Sequence, residues 1–572
     1  MCSSDRNVAL KPKSLCKRMP WMMRLEDQLI PDNQLGAAYQ KTRIDHEMLL
    51  NVNSDPKIAR LTGIMVTLGE KNSHPMGITD IVLSGADMVR MNMSHKEHTW
   101  HAVSVQSIRE AGNRIHRCRR EVFPLAVAMD LRGPEIRTGL FNGAEDSMVK
   151  ICILLDIFEG YAEFKEGNFV KLLVEDNMKR TGCDKCFWVS YPDLPRFCKV
   201  GDKIYIDRGA VILETTCVVE CTVTCKVAKG GIVRNEKLVQ LVDGIPELPQ
   251  VSGQDDADIG LALDFECDLL IVSHVRNGQM ICAVKDRIKQ IGTRPICVVA
   301  KISCNQGLEA FDDILTVADA IMIDRAGIEV DIRPEKVFLA QKCIISKCNR
   351  VGKPVIVAVR IKGTEPSYTD MNDISCAVLD GVDSIFLATG ALSVDETVKV
   401  VKNVDIACRE AECARWQRQN FEELSYKALI PLDPTHSIAV AAIETSMKCN
   451  AAAIIVTTTT GRSAMMLSIY RPRCPIIAIT RYGIVARWLQ VYFGVHPIHY
   501  RNPPYPDWSK DMDYRIQHAM NYSRSHKFVE VGNAVVIVSG WRQGSGFTNC
   551  IRIVYASPGN IPNLSEDFEE SW

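Results

Sequence analysis

The chain has almost no net charge: 68 Lys and Arg against 69 Asp and Glu leave -1 over 572 residues. That balance excludes the basic footprint of a nucleic-acid or membrane-surface binder. No apolar run approaches the ~18 residues of a transmembrane helix, and the N-terminus lacks the apolar core of a secretion signal. Internal repeats and low-complexity tracts are also missing. Zinc motifs are not paired: the 22 cysteines are scattered, with one C-x-x-C (Cys183, Cys186) and Cys217, Cys221 and Cys225 spaced four apart. They read as reduced, buried small hydrophobes. The basic segment Arg6–Arg24 (Lys11, Lys13, Lys17, Arg18) reads as a floppy leader of a cytoplasmic protein. A mitochondrial transit peptide is the alternative, weakened by Asp5 and Pro12.

What is present is an ordinary globular composition, 47% hydrophobic and 24% charged, at a length for roughly three or four domains. Short apolar runs recur, each followed by an amphipathic stretch, the pattern of parallel β/α units. The expected strands are Thr62–Leu68, Met88–Met93, Leu125–Leu131, Asp268–Val275, Ile296–Ile302, Ala320–Ile323, Val355–Val359 and Ser384–Leu387. The expected helices include Trp100–Arg119, Gly307–Leu315 and Glu335–Cys348. Eight units predict a (β/α)₈ TIM barrel. Between Gly133 and Pro249 short strands alternate (Val149–Leu154, Phe169–Leu173, Lys203–Ile206, Ala210–Leu213, Val218–Val227), which predicts an inserted β-barrel-like lid domain. A charged helix, Asp395–Phe421, is followed by strands Ala453–Thr457, Pro475–Ile479, Ala534–Val538 and Ile551–Val554 of a C-terminal α/β domain. The acidic tail Glu566–Glu570 reads as solvated. The expected division is leader 1–43, barrel 44–133 and 249–417, lid 134–248, and C-terminal regulatory domain 418–572.

In such barrels the chemistry sits just after the strands' C-terminal ends. Those ends carry Lys301 and Arg325, suited to phosphate, and no carboxylate where a hard metal would need one. The motifs narrow this further. Val89–His98 reads VRMNMSHKEH, Leu125–Gly139 reads LAVAMDLRGPEIRTG, Glu335–Gln341 reads EKVFLAQ, and Ser539–Asn549 reads SGWRQGSGFTN. Together they resemble pyruvate kinase, from about Thr62 to Val554. The resemblance implies phosphoryl transfer from phosphoenolpyruvate to ADP, the last step of glycolysis, with Mg²⁺ and K⁺. It also implies a mobile lid and usually a homotetramer.

The resemblance implies roles position by position. Lys301 is the catalytic lysine on the transferring group. Arg90, Lys301, Ala326 and Gly327 would bind substrate. Asn92, Met93, Ser94, His95, Arg137 and Lys237 would bind nucleotide. Asn92, Ser94, Asp130 and the carbonyl of Leu131 match the potassium ligands, all oxygen donors as a hard cation requires. Arg132 replaces a lysine. The family's two Mg²⁺ carboxylates are replaced, by Ser303 and Gly327. The threonine linked to enolate protonation is Val359, a Ser-Gly-Glu-Thr run is Ala388 to Ala391, and the second Asp of a lid Asp-Asp-Gly turn is Arg208. These changes argue against a Mg²⁺ site, with Asp324 and Glu329 as weak substitutes. A lost catalytic metal lowers the rate on the order of a thousandfold or more.

In the C-terminal domain, Thr458, Thr459, Thr460, Gly461, Arg462 and Ser463 link a strand to a helix, a phosphate cradle by hydroxyls and free N–H groups. In the family this loop holds one phosphate of fructose 1,6-bisphosphate. Trp508 and Arg515 match the residues holding the other, beneath the loop Arg542, Gly544, Ser545, Gly546 and Phe547. Thr459 stands where activatable members have lysine. Three readings follow. The first is a weak or inactive homologue acting by ligand binding or in mixed tetramers with an active member. The second is a working kinase with a rearranged Mg²⁺ site. The third is a scaffold retaining the fold for assembly only. The first is expected.

Overall fold

The computed structural model describes residues 34–119, 122–141, 160–241, 248–292, 294–361, 363–428, 430–542, 544 and 546–557. Most of the expected leader, the expected strand Val149–Leu154, Ser545 and the acidic tail lie outside the described residues.

Strands β1 (Gly63–Thr67), β2 (Met88–Asn92) and β3 (Ala126–Asp130) come first. The insertion carries β4 (Ile136–Arg137), β5 (Tyr161–Phe164), β6 (Phe169–Leu173), β7 (Cys186–Trp188), β8 (Lys203–Ile206), β9 (Val211–Val219), β10 (Thr222–Lys229), β11 (Gly231–Arg234) and β12 (Leu238–Leu241). Next are β13 (Leu269–Val272), β14 (Cys297–Ile302), β15 (Ala320–Ile323), β16 (Val355–Val359) and β17 (Ser384–Leu387). The last segment holds β18 (Ala453–Thr457), β19 (Ile476–Thr480), β20 (Val495–His499), β21 (Ala534–Gly540) and β22 (Thr548–Tyr555).

The closed parallel barrel runs β1-β17-β16-β15-β14-β13-β3-β2. Its strands are near-continuous apolar runs because both faces are covered, GIMVT of β1 being buried throughout. Side chains alternate: Met65, Met88, Ile271, Val299, Met322 and Phe386 share the inner cluster. Ile64, Val66, Val89 and Leu270 face outward into the helical ring. Parallel order brings Asn92, Asp130, Lys301 and Val359 to one rim.

Among the described residues the insertion forms one seven-stranded sheet, β4-β12-β8-β9-β10-β6-β7, and the pair β11-β5. Its own apolar core includes Val170, Leu172, Ile204, Val223 and Cys225, read from the alternation in β6. The expected single strand Val218–Val227 is instead the hairpin β9–β10, turning at Glu220 and Cys221. β4 pairs with β12, Arg137 opposite Leu238, so both ends of the lid return to the barrel rim.

The C-terminal sheet is β20-β19-β18-β21-β22, with only β22 antiparallel. β20 was not anticipated, because VHPIH carries a proline and two histidines. As an edge strand it tolerates Pro497. The expected helix Gly307–Leu315 is two helices, Asn305–Glu309 and Phe311–Val317, hinged at Ala310. Asp395–Phe421 likewise divides into Val394–Cys413 and Gln417–Lys427. Tertiary contacts fix that joint: Trp416 Nε1 donates to the carbonyl of Gln40 at 2.8 Å, and buried Arg415 lies over the Phe493 ring.

The uniform reading of the cysteines needs correction. Cys267, Cys348 and Cys408 are buried, but Cys217, Cys221, Cys282, Cys343 and Cys376 are exposed. Packing cannot account for the second group. Among the described residues no helix is long and apolar enough to cross a membrane.

Candidate active site

Asp130 ends β3 and is 1% exposed. Arg90, on the adjacent β2, donates from Nε to Asp130 Oδ2 at 2.9 Å and lies over the Phe386 ring at 5.0 Å. Lys301, on β14, donates from Nζ to both carboxylate oxygens at 2.9 and 2.8 Å, and Ser273 Oγ donates to Oδ1 at 2.8 Å. Burial alone would raise the Asp130 pKa. Lys301 and Arg90 outweigh it and hold the carboxyl down at about 2.

A second network stands beside it. Glu135 Oε1 meets His274 Nε2 at 2.8 Å, and His274 Nδ1 meets Ser303 Oγ at 3.0 Å. An ionised carboxylate only accepts, so Nε2 carries the proton toward Glu135. Arg137 Nε donates to Glu135 Oε2 at 2.8 Å. Burial opposes the charge on Glu135, but His274 and Arg137 hold its pKa at about 2. His95 is pushed below its ordinary value by desolvation, then by Arg137, Lys237 and Arg90.

The lid closes the mouth from above. Arg208 Nη2 donates to Asp324 Oδ2 at 3.3 Å, bridging lid and barrel. Asp324 Oδ1 accepts from the Gly327 N–H at 3.3 Å, capping the helix Arg325–Asp331. The cavity beneath the lid is open to one side, about 640 Å³, and is lined by Arg90, Asn92, Ser94, His95, Asp130, Arg137, Lys237, Lys301, Asp324 and Ala326 of the expected set. Met93 and Arg132 line an adjoining hollow.

Other expected residues do not reach the cavity. Leu131 and Ser303 are buried, Gly327 is buried behind the wall, and Glu329 lies on an exposed helical flank. Glu135, His274 and Lys229 also line the cavity but were not anticipated. Glu135 sat inside the GPEIRTG motif and His274 inside an expected strand, so both had a signal. Lys229 had none, because a lysine on a lid strand reads as solvated until the lid folds over.

The positions where the resemblance places metal carboxylates are tightly packed. A Cβ on Gly327 would lie 2.7 Å from Ser303 Cβ and 2.8 Å from its carbonyl oxygen, far inside normal contact. A carboxylate side chain at position 327 cannot be accommodated without moving backbone. Among the described residues, no group of three or more His, Cys, Asp or Glu could hold a metal ion. The residues present do not fit Mg²⁺. For potassium the donor chemistry fits, since Asn92, Ser94 and Asp130 share the rim.

The C-terminal hollow, about 770 Å³, is lined by Thr458, Thr459, Thr460, Arg462, Ser463, Trp508, Arg515, Arg542, Gly544, Gly546 and Phe547. Thr458 Oγ1 accepts from the Gly461 N–H at 3.0 Å. Arg515 and Arg481 both donate to Asp511, at 2.8 and 3.1 Å, and Arg462 donates to Asp433 at 3.0 Å. Arg542 stacks on Phe547 at 3.8 Å.

Comparison with known proteins agrees with this architecture. The family description "Pyruvate kinase, barrel domain" matches residues 59–394, and "Pyruvate kinase, alpha/beta domain" matches 436–554. Human "Pyruvate kinase PKLR" is 37% identical over 529 residues, covering 92% of this chain and 90% of that one. Candida albicans "Pyruvate kinase" is 30% identical over 514 residues, covering 88% and 98%. The chain belongs to the pyruvate kinase family.

Proposed function

We propose that this chain is a pyruvate kinase-like protein with weak or no turnover, acting through ligand binding or as a subunit of mixed tetramers. The observation that carries the reading is the packing of Gly327 on Ser303, which leaves no room for a carboxylate side chain at position 327. The alternative of a rearranged Mg²⁺ site is opposed by the neighbouring geometry: Asp324 is held by Arg208 and by its helix cap, and Glu329 is exposed and does not line the cavity.

In this reading phosphoenolpyruvate and ADP enter the mouth. Lys301 and Arg90 turn part of their hydrogen bonding from Asp130 to the phosphoryl group. His95, Arg137 and Lys237 meet the nucleotide. Val359 offers no hydroxyl at the end of β16 for proton transfer, a second reason for slow chemistry. Potassium, where bound, would supply fixed positive charge from Asn92, Ser94, Asp130 and the Leu131 carbonyl. Arg90, Lys301 and Ser273 already donate to both oxygens of Asp130, so the ion would compete with them.

The domain division 44–133 with 249–417, 134–248 and 418–572, a cytoplasmic setting, a tetramer and a sugar-bisphosphate effector belong to the same proposal. The test is pyruvate formation from phosphoenolpyruvate and ADP with Mg²⁺ and K⁺, beside an active family enzyme. The expected rate is lower on the order of a thousandfold. Robust Mg²⁺-dependent turnover sinks the reading.

A further inference from the structure

We infer that the barrel mouth takes a phosphorylated carboxylic acid without any divalent cation, and that the lid's Arg208 supplies positive charge that a metal would otherwise bring. The inference rests on the ligand-binding reading above and goes beyond it in naming the counter-charge.

Charge is the first support. Among the described residues the cavity lining holds seven Lys and Arg against four Asp and Glu, an excess of three positive charges before any metal arrives. A divalent cation is repelled by such a wall, and an anion is drawn to it. The second support is that most of the acids are already engaged. Asp130 accepts from Arg90, Lys301 and Ser273. Glu135 accepts from Arg137 and His274. Asp324 faces Arg208 and caps a helix. Mg²⁺ demands near-octahedral oxygen ligands at about 2.0–2.1 Å and dehydrates reluctantly, so carboxylates committed to guanidinium and ammonium groups serve it poorly.

The third support is the placement of Arg208. Asp207, Arg208 and Gly209 have φ of 48°, 58° and 84°, three successive left-handed residues that make a tight lid tip. That tip brings Arg208 into the cavity lining, opposite barrel residues. Its bond to Asp324 is long, at 3.3 Å, and its side chain remains 40% exposed. A phosphate dianion would offer this guanidinium a better-matched, bidentate partner than the single carboxylate oxygen it now meets. Binding would then exchange the Arg208–Asp324 pair for Arg208–phosphate and draw the lid onto its ligand.

The experiment is calorimetric titration of phosphoenolpyruvate into the full chain, once with excess EDTA and once with Mg²⁺, with Arg208→Ala and Arg208→Lys alongside. The expected dissociation constants agree within about twofold between the two buffers, and Mg²⁺ alone gives no binding heat. Arg208→Ala weakens binding about tenfold in both buffers and Arg208→Lys recovers part of it. Because Arg208 is half-exposed, thermal unfolding of the variants should match the parent. Binding that requires Mg²⁺ overturns the inference while leaving the ligand-binding reading intact. Unchanged affinity in Arg208→Ala overturns the role of Arg208. Absence of binding in both buffers overturns the ligand-binding reading, and the inference with it.

Discussion

At the barrel mouth the buried Asp130 holds Arg90 and Lys301, and in the C-terminal hollow the buried Asp511 holds Arg481 and Arg515. The motif of one carboxylate gripping two cations is the same, and its surroundings differ. Around Asp130 two further cations, Lys229 and Lys237, face the same cavity with no carboxylate partner among the described residues, and Arg208 meets a single oxygen of Asp324 at 3.3 Å. Around Asp511 the arginine expected to take a phosphate is itself tied down, Arg462 is tied to Asp433, and among the described cations of this hollow Arg542 alone meets aromatic rings and no carboxylate. Cations that line a hollow are therefore not equally available to a ligand. What counts is whether their nearest carboxylate leaves them free.

The largest expected effect comes from removing the carboxylate at the mouth. Asp130→Ala leaves two desolvated cations unpaired and should lower stability by about 3–5 kcal/mol, measured by denaturant unfolding. A loss below about 1 kcal/mol would mean that the mouth is wetter and looser than its burial indicates. Next is Gly327→Asp, which forces atoms to within 2.7 Å of Ser303. It should destabilise by about 1–3 kcal/mol and bring no turnover, even combined with Ser303→Glu. A gain in Mg²⁺-dependent pyruvate formation would show that the site lacks only its ligands.

Acid unfolding sharpens the contrast further. Asp130 and Glu135 are held at about 2, below their ordinary 3.8 and 4.5. Their contribution is full above pH 4.5 and is lost as pH falls through 2. Asp130→Asn should flatten stability against pH between about 4 and 2 by on the order of 1–2 kcal/mol, relative to the parent. An unchanged slope would remove Asp130 from the account of acid sensitivity.

The smallest effect is at the other hollow. Asp511→Asn should release Arg515 and tighten fructose 1,6-bisphosphate binding about threefold, read by calorimetry. Weaker binding would show that Asp511 orients Arg515 instead of competing for it.

Much of this molecule is legible in one dimension. Apolar runs such as GIMVT, AIMI and VIVAV are buried through their length, so a short-range pattern marks them as barrel strands. Motif residues Arg90, Asp130, Arg137 and Lys301 could be singled out through the resemblance to the family, and Lys301 also because it stands at a strand end. Elements set by distant contacts were missed. β20 exists because an edge position forgives Pro497, and the break at Arg415 and Trp416 is fixed by Phe493 and Gln40.

The sequence by itself determined the barrel, the inserted lid and the C-terminal sheet, because each depends on residue type and local periodicity. Only the tertiary structure decided that Gly327 packs on Ser303, that His274 joins Ser303 to Glu135, and that Arg208 reaches Asp324 from the lid. Those pairs lie from 24 to 139 residues apart in the chain. Their meeting depends on how barrel closure and lid docking place separate segments, which no local pattern records.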